Sequence, residues 1–189
     1  GTGKTFTSLR AAEEVLNGNG NILFLVPSIA LINQTMTEWT SQCNFTYNAL
    51  VVCSDNKASK GDDFIDLKIP STTKIDRLCD WVKYTKIHKR DLNIIFSTYK
   101  SIAVVSKLQE RTEFYVYLVI CDEAHRTTGV KLSDEDESYF IKVHDNSFIK
   151  SDKRLYMTAT PRIYGDNVKN KAKEVNAVLC SMDNEEVFG

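Results

Sequence analysis

The chain contains few residues that interrupt regular structure and no cysteine pattern that would build a covalent or metal framework. Its 189 residues include only 3 prolines and 8 glycines, so we expect regular elements with short connections. The 5 cysteines are an odd number and none belongs to a Cys-x-x-Cys pair, which argues against a disulfide scaffold and a zinc site. These features predict a globular protein in a reducing, cytoplasmic environment.

Neither a surplus of one charge nor a long apolar run is present. Lys and Arg number 24 against 25 Asp and Glu, which gives a net charge of −1. Because a compact nucleic-acid binder that works alone usually carries a basic surplus, any contact with a polynucleotide should be local or shared with other parts of the protein. No apolar run approaches the ~18 residues of a membrane span, and no signal-peptide pattern appears. We therefore expect no membrane partner.

Short apolar runs alternate with amphipathic segments along the chain. The runs are rich in Val, Ile, Leu and aromatic residues without polar alternation, as expected for strands buried on both faces: 22–26, 49–53, 92–96, 115–121 and 154–157. The segments with helical spacing are 4–16, 28–43, 74–86 and 101–110. This alternation predicts a doubly wound α/β domain, with a parallel sheet and helices on both faces. Two polar segments, 54–73 and 127–151, interrupt it and are predicted to be surface excursions, the second with a solvated acidic run at 134–137.

The first five residues enter a helical segment as the second half of a phosphate-binding loop: Gly1, Thr2, Gly3, Lys4 and Thr5. Unpaired N–H groups and the positive end of the helix dipole would meet phosphate oxygens there. Lys4 would supply a point charge to the β- and γ-phosphates of a nucleoside triphosphate, and Thr5 a hydroxyl to Mg²⁺. Since the first half of such a loop precedes Gly1, we expect the chain to be a fragment, truncated at this edge.

Two adjacent carboxylates follow the apolar run 115–121. Asp122 and Glu123 would project from the carboxyl end of a strand, where ligands bind in open parallel sheets. Asp122 suits Mg²⁺, which prefers hard oxygen ligands, and Glu123 is then placed to orient or deprotonate a water molecule. The alternative, a capping pair at a strand-to-helix turn, does not explain the phosphate-binding loop. The hypothesis requires Lys4 and both carboxylates to converge on one gap.

The tetrapeptide 122–125, Asp-Glu-Ala-His, resembles motif II of superfamily 2 DEAH-box helicases and translocases. Other positions are similar to further motifs of the first RecA-like domain of that superfamily, in order: 1–5 to motif I, 26–28 to motif Ia, 97–101 to a motif on the DNA side, and 157–162 to motif III. Segment 154–165 is most similar to motor subunits of restriction enzymes, whether type I, type III or single-polypeptide, and to related bacterial helicases.

The resemblance implies a role for individual residues in ATP hydrolysis. Lys4 and Thr5 would bind the triphosphate and Mg²⁺, Asp122 the metal, and Glu123 the hydrolytic water. His125 would link this site to a partner domain or to motif III.

The resemblance also implies a nucleic-acid side. Thr158 and Thr160 would relay the nucleotide state to it. Four residues would lie near the backbone of a bound DNA strand: Pro27, Ser28, Thr98 and Tyr99. Short hydroxyl and amide donors suit such phosphate contacts, although Ser28 also fits a helix N-cap.

Members of this superfamily use two RecA-like domains with ATP between them. The second supplies an arginine finger, and no segment of this chain resembles that domain. We therefore expect a second RecA-like domain in the full-length chain, with nuclease or methyltransferase modules as candidate further partners. The isolated fragment, 1–189, is predicted to be inactive or very weak as an ATPase.

The leading hypothesis is that the chain is the first motor domain of an ATP-dependent DNA helicase or translocase that belongs to a restriction-modification type enzyme. One alternative is an RNA helicase of the same superfamily, and another is a nucleotide-dependent binding switch that does not move along a strand.

Overall fold

A computed structural model describes residues 3–54, 70–131, 139–174 and 178–188. Gly1, Thr2, the acidic run 134–137 and most of the polar segment 54–73 lie outside the described residues. No helix within the described ranges is long and apolar enough to cross a membrane.

The strands, in chain order, are β1 (Gly20–Val26), β2 (Tyr47–Val52), β3 (Leu92–Thr98), β4 (Val116–Asp122), β5 (Gly129–Lys131), β6 (Ser151–Met157) and β7 (Val178–Cys180). The helices are α1 (Lys4–Leu16), α2 (Ile29–Gln42), α3 (Ile75–Ile87), α4 (Ile102–Arg111), α5 (Asp166–Glu174) and α6 (Glu185–Phe188). The larger sheet has five strands in the order β2-β3-β1-β4-β6, and every neighbouring pair is parallel. The predicted α/β class is confirmed.

Helices cover both faces of the large sheet. Helices α1 and α2 pack on one face through an apolar set that includes Leu9 and Trp39, while α3 and α4 pack on the other through Leu78 and Leu108. Strands β1 and β3 lie between these layers, so almost every side chain in them is buried. This explains why their sequences are continuously apolar rather than alternating.

Strand β6 departs from the predicted burial on both faces. Only Met157 of the run 154–157 is buried, and Asp152 and Lys153, earlier in the strand, are exposed. The reason is position, because β6 is the last strand of the described sheet. An edge strand tolerates charged side chains that a central strand does not.

The segment 127–151 is also not a simple surface excursion. Thr127, Val143 and Ile149 are buried, and the latter two pack in the apolar layer of α3 and α4. Just after Thr128, β5 pairs with β7 in a small antiparallel sheet that the sequence pattern did not predict. The segment after β4 is therefore held both by packing against the layer of α3 and α4 and by the pairing of β5 with β7.

Helix α1 begins and ends at residues in the left-handed conformation. Gly3 precedes it with φ 72°, and Asn17 follows it with φ 46°. Its apolar stripe is narrower than the spacing predicts, since Leu9 is buried whereas Phe6 and Val15 are about half exposed. The helix therefore lies on the sheet along one narrow line, with its first turn at the carboxyl edge of the strands.

Candidate active site

All five parallel strands of the large sheet end at one edge. Val26 of β1 is the register partner of Thr98 in β3, and Asp122 of β4 is the partner of Met157 in β6. The residues that follow these strands therefore share the carboxyl edge, where ligands bind in open α/β sheets.

The first turn of α1 presents its backbone at this edge. Gly3 is exposed, its φ of 72° favours glycine, and no side chain caps the helix start. The initial N–H groups of a helix have no partner within it, and they carry the positive end of its dipole. Trp39 holds this turn from α2, because its indole Nε1 donates to the Thr5 carbonyl at 3.3 Å. The sequence offers no signal for that contact, since its two residues lie 34 positions apart.

Lys4 and Glu123 meet in this edge. Lys4 Nζ lies 2.8 Å from Glu123 Oε1, and the two side chains are 24% and 28% exposed. The pair joins the start of α1 to the end of β4. An ammonium group and a carboxylate thus occupy the gap between the helix terminus and the strand ends.

Glu123 adopts an unusual backbone conformation. Its φ of 51° and ψ of 47° are left-handed, which costs roughly 1–2 kcal/mol for a residue with a Cβ. The Oδ1 atom of Asp122 accepts the Glu123 N–H at 2.9 Å and supports this turn. Such strain is concentrated at functional sites, where it fixes the direction of a side chain. Here it accompanies the contact with Lys4.

Asp122 is buried beneath this pair. Burial is the main cause that raises the pKa of Asp122 above its usual range, the charge of Glu123 adds to it, and the Lys4 ammonium opposes it. The charged form of a buried carboxylate is unfavourable by itself, and a neighbouring cation stabilises that charged form.

The oxygen donors at this edge fit Mg²⁺ rather than a metal held by the protein alone. Within the ranges that the structure describes, no three His, Cys, Asp or Glu residues form a metal-binding group. The carboxylates of Asp122 and Glu123 and the Thr5 hydroxyl are hard oxygen donors. Mg²⁺ usually takes one or two protein ligands and completes its shell with water and substrate phosphates.

His125 connects Glu123 to the end of β6. Its Nδ1 lies 3.3 Å from Glu123 Oε2 and 3.0 Å from Thr158 Oγ1. Because a carboxylate only accepts hydrogen bonds, this geometry favours a proton on Nδ1. Thr158 in turn exchanges bonds of 3.2 Å with the backbone N–H and carbonyl of Thr160. The polar contacts thus run without a break from Lys4 to Thr160.

The residues assigned to the nucleic-acid side are placed unequally. Pro27 is half-buried and Ser28 is exposed, and the Ser28 side chain makes no capping bond to α2. Thr98 is buried and its hydroxyl donates to Ser101 Oγ at 3.2 Å.

Tyr99 requires a correction. It is fully buried, and its hydroxyl donates to the Asp122 carbonyl at 2.9 Å. Its side chain therefore supports the end of β4 and does not face a bound strand. The motif letters do not carry this information, because they identify a residue without the direction of its side chain.

A family model described as "Type III restriction enzyme, res subunit" matches residues 1–163 of the chain. No curated protein sequence matched the chain. The family match agrees with the predicted resemblance to restriction-enzyme motor subunits.

Solved structures show the same relationship. A nuclease-deletion mutant of the Type ISP restriction-modification enzyme LlaGI, in complex with a DNA substrate mimic, is 36% identical with a TM-score of 0.74. The ATP-dependent Type ISP restriction-modification enzyme LlaBIII bound to DNA is 38% identical with a TM-score of 0.75. All of this chain is covered in both comparisons, but it spans only 16% and 13% of those two chains.

The helicase domain of Hef from Pyrococcus furiosus is similar in fold, with 20% identity, a TM-score of 0.55, and coverage of 99% of this chain and 34% of that one. The parallel sheet and its flanking helices are thus those of a RecA-like helicase domain. Taken with the match over residues 1–163, this means that the chain belongs to the family of Type III restriction enzyme res subunits.

Proposed function

We propose that this chain is the ATP-binding motor domain of an ATP-dependent DNA helicase or translocase of the restriction-modification type. One observation carries the proposal: Lys4 Nζ lies 2.8 Å from Glu123 Oε1, beside the buried Asp122, where the start of α1 meets the ends of parallel strands. A cation for phosphate, a carboxylate for a metal and a carboxylate for water are groups that triphosphate hydrolysis uses.

ATP would bind through the residues Gly1 to Thr5. The free N–H groups at the start of α1 would face its phosphates, and Lys4 would add a point charge. Asp122 and the Thr5 hydroxyl would hold Mg²⁺, which neutralises phosphate charge when bound.

Binding of the nucleotide would also release Glu123. Without a phosphate, the ammonium of Lys4 pairs with Glu123 Oε1. The γ-phosphate competes for that ammonium with a larger negative charge, so Lys4 would turn toward the nucleotide. Glu123 would then be free to accept a hydrogen bond, and later a proton, from the attacking water.

Two further contacts would complete the motor. His125 and Thr158 would carry the state of Glu123 to the segment that ends at Thr160, through the bonds of 3.0 and 3.2 Å. Ser28 would contact phosphates of a DNA strand, with Pro27 and Thr98 beside it at the same edge. Phosphate contacts position a strand without reading its sequence, as translocation along any sequence requires.

The chain would depend on partners for full activity. A second RecA-like domain would supply an arginine to the transition state, and nuclease or methyltransferase modules would use the movement. The net charge of −1 also implies that much of the DNA contact comes from other parts of the protein. By itself the chain should hydrolyse ATP very weakly.

The decisive experiment replaces Glu123 by Gln in the full-length protein. We expect ATP to bind with nearly unchanged affinity while steady-state hydrolysis falls by at least about 100-fold, because the amide cannot accept the proton. Unchanged turnover would exclude Glu123 as the base.

The same assay identifies the polynucleotide. We expect duplex DNA to stimulate wild-type hydrolysis and RNA to have no effect. Stimulation by RNA alone would indicate an RNA helicase instead, and hydrolysis without any movement on DNA would indicate a binding switch.

A further inference from the structure

A half-buried histidine lies outside the predicted site but between the elements that form it. Nε2 of His144 is 2.9 Å from the Thr127 carbonyl oxygen, and Nδ1 is 2.9 Å from the Tyr156 hydroxyl. The imidazole also packs edge-on against the Phe188 ring, with centroids 4.8 Å apart. A single side chain thus joins the loop after β4, strand β6 and helix α6.

The partners of His144 determine its protonation. A carbonyl oxygen only accepts, so Nε2 carries a hydrogen. Burial lowers the pKa of His144, the bond to Thr127 opposes this, and the nearby charge of Arg154 lowers it further. The ring is therefore neutral at neutral pH, and Nδ1 accepts the hydrogen of the Tyr156 hydroxyl. In this neutral form, Nε2 donates a hydrogen bond and Nδ1 accepts one.

His144 forms the second of two bridges between the same two segments. In the first bridge, His125 Nδ1 contacts Thr158 Oγ1 at 3.0 Å. In the second, Thr127 is joined through His144 to Tyr156. The two bridges attach two residues apart on each segment, at His125 and Thr127 on one and at Tyr156 and Thr158 on the other. A single hydrogen bond would let the loop pivot, whereas two separated bridges fix its direction as well as its distance.

Strand β7 and the residues after it reinforce this arrangement. Strand β5, which continues the loop, pairs with β7. Directly after β7, Ser181 Oγ accepts the Tyr164 N–H at 3.1 Å and the Met182 N–H donates to the Arg162 carbonyl at 3.1 Å. One piece of chain therefore holds both the segment beyond Thr127 and the segment beyond Thr160.

We propose that His144 is a positioning residue for hydrolysis, which holds the loop carrying Glu123 and His125 in register with Thr158. This inference rests on the proposed function. His144 does not touch the reacting atoms, so its loss should slow turnover and leave nucleotide binding nearly unchanged. A displacement of about 1 Å at a reacting group is enough to reduce a rate by one to two orders of magnitude.

The test compares variants of the full-length protein. His144→Phe keeps a ring between the same neighbours and removes both hydrogen bonds, and we expect kcat to fall about tenfold with the KM for ATP within about twofold of wild type. His144→Gln keeps a donor for Thr127 and should recover most of that loss. Tyr156→Phe removes only the outer bond and should lower kcat about threefold.

The chain offers a matched control at the far end of the same two strands. The Tyr115 hydroxyl donates to Asp152 Oδ1 at 2.7 Å, an exposed contact that joins the residue just before β4 to β6, away from the site. Tyr115→Phe should leave kcat unchanged. If it lowers kcat as much as Tyr156→Phe does, general weakening of the sheet explains the effect and the positioning role is wrong.

Hydrogen exchange of the same proteins supplies a readout independent of activity. Peptides that cover residues 123–131 should exchange hydrogen faster in His144→Phe than in wild type. In Tyr115→Phe their exchange rate should equal that of wild type. Unaltered exchange, or a kcat of His144→Phe within about twofold of wild type, would overturn the inference. If the wild-type protein does not hydrolyse ATP, the proposed function fails, and the exchange comparison alone decides whether His144 positions the loop.

Discussion

The carboxyl edge of the sheet has two halves that are built differently. Around the ends of β4 and β6, polar side chains contact one another across elements, as Lys4 does with Glu123 and His125 does with Thr158. At the ends of β1 and β3, the polar groups are either exposed, like Ser28, or bonded within their own turn, like Thr98. We call these the hydrolytic half and the strand half, after the roles proposed for them.

The difference fits the role proposed for each half. The hydrolytic half is assembled before any ligand arrives, because its charged groups already hold one another. In the strand half, Ser28 is exposed and makes no capping bond to α2, which would suit the transient contact with a uniform phosphate backbone proposed for it. Tyr99 links the two halves, because it directly follows β3 and its hydroxyl donates to the carbonyl of Asp122 in β4.

Removing the cation from the hydrolytic half should have the largest effect. For Lys4→Ala in the full-length protein, we expect ATP hydrolysis to fall by at least about 100-fold, because the charge that stabilises the phosphates is lost. Steady-state ATPase measurements with a nucleotide-binding assay check this. The control is Lys83→Ala, which breaks only an exposed ion pair with Asp80 and should leave turnover unchanged.

The Asp122→Asn change separates chemistry from folding. We expect hydrolysis to fall about 100-fold, because a neutral amide is a poor ligand for Mg²⁺. Without nucleotide, however, the variant should melt at a higher temperature at neutral pH, because burial raises the pKa of Asp122 and makes its charged form unfavourable in the fold.

The pH dependence of that gain has a definite sign. The cost of charging Asp122 is fully present above its raised pKa and disappears as the carboxyl becomes protonated. The difference in melting temperature between Asp122→Asn and wild type should therefore shrink as pH falls through the pKa of Asp122. A variant that melts lower than wild type at neutral pH contradicts the explanation.

The link from the hydrolytic half toward nucleic acid depends on one hydroxyl. Thr158→Val keeps the shape of the side chain but removes the bonds to His125 and Thr160. We expect kcat to fall about tenfold and stimulation by DNA to be largely lost, with little change in the KM for ATP. Thr37→Val, which removes an exposed bond within α2, is the matched control. If both substitutions change kcat and DNA stimulation equally, Thr158 does not carry the proposed link.

The smallest effects should distinguish the exposed and buried members of the strand half. Ser28→Ala should weaken DNA binding about fivefold without changing stability, because Ser28 does not cap α2. Tyr99→Phe should lower the free energy of unfolding by about 1 kcal/mol and leave DNA affinity unchanged. Fluorescence anisotropy and chemical denaturation measure the two quantities. The reverse pattern would mean that Tyr99 leaves its buried position when DNA binds.

Much of the fold follows from the sequence, because strands buried on both faces have a distinct composition. The runs at 92–96 and 115–121 are strands for that reason, and α1 spans the predicted segment 4–16. Strands β5 and β7 escape prediction because three residues carry no usable periodicity. The exposure of β6 depends on its position in the sheet, which no local pattern contains.

The site shows the same division. Asp122 and Glu123 are adjacent in sequence, so their juxtaposition is predictable, and a phosphate-binding loop implies that Lys4 approaches them. The burial of Tyr99 and the contacts of His144 depend on how distant segments pack. His144 has no neighbour in sequence that suggests a function, and its partners lie 12 and 17 positions away.

The contact between Trp39 and Thr5 offers a practical advantage. The chain contains only 2 tryptophans, and the indole of Trp39 donates to the carbonyl of Thr5 in the first turn of α1, where the nucleotide is proposed to bind. Trp81 lies on the opposite face of the sheet, against Phe114. Because indole emission is sensitive to hydrogen bonding, light emitted by Trp39 would report the arrival of a nucleotide without any attached dye.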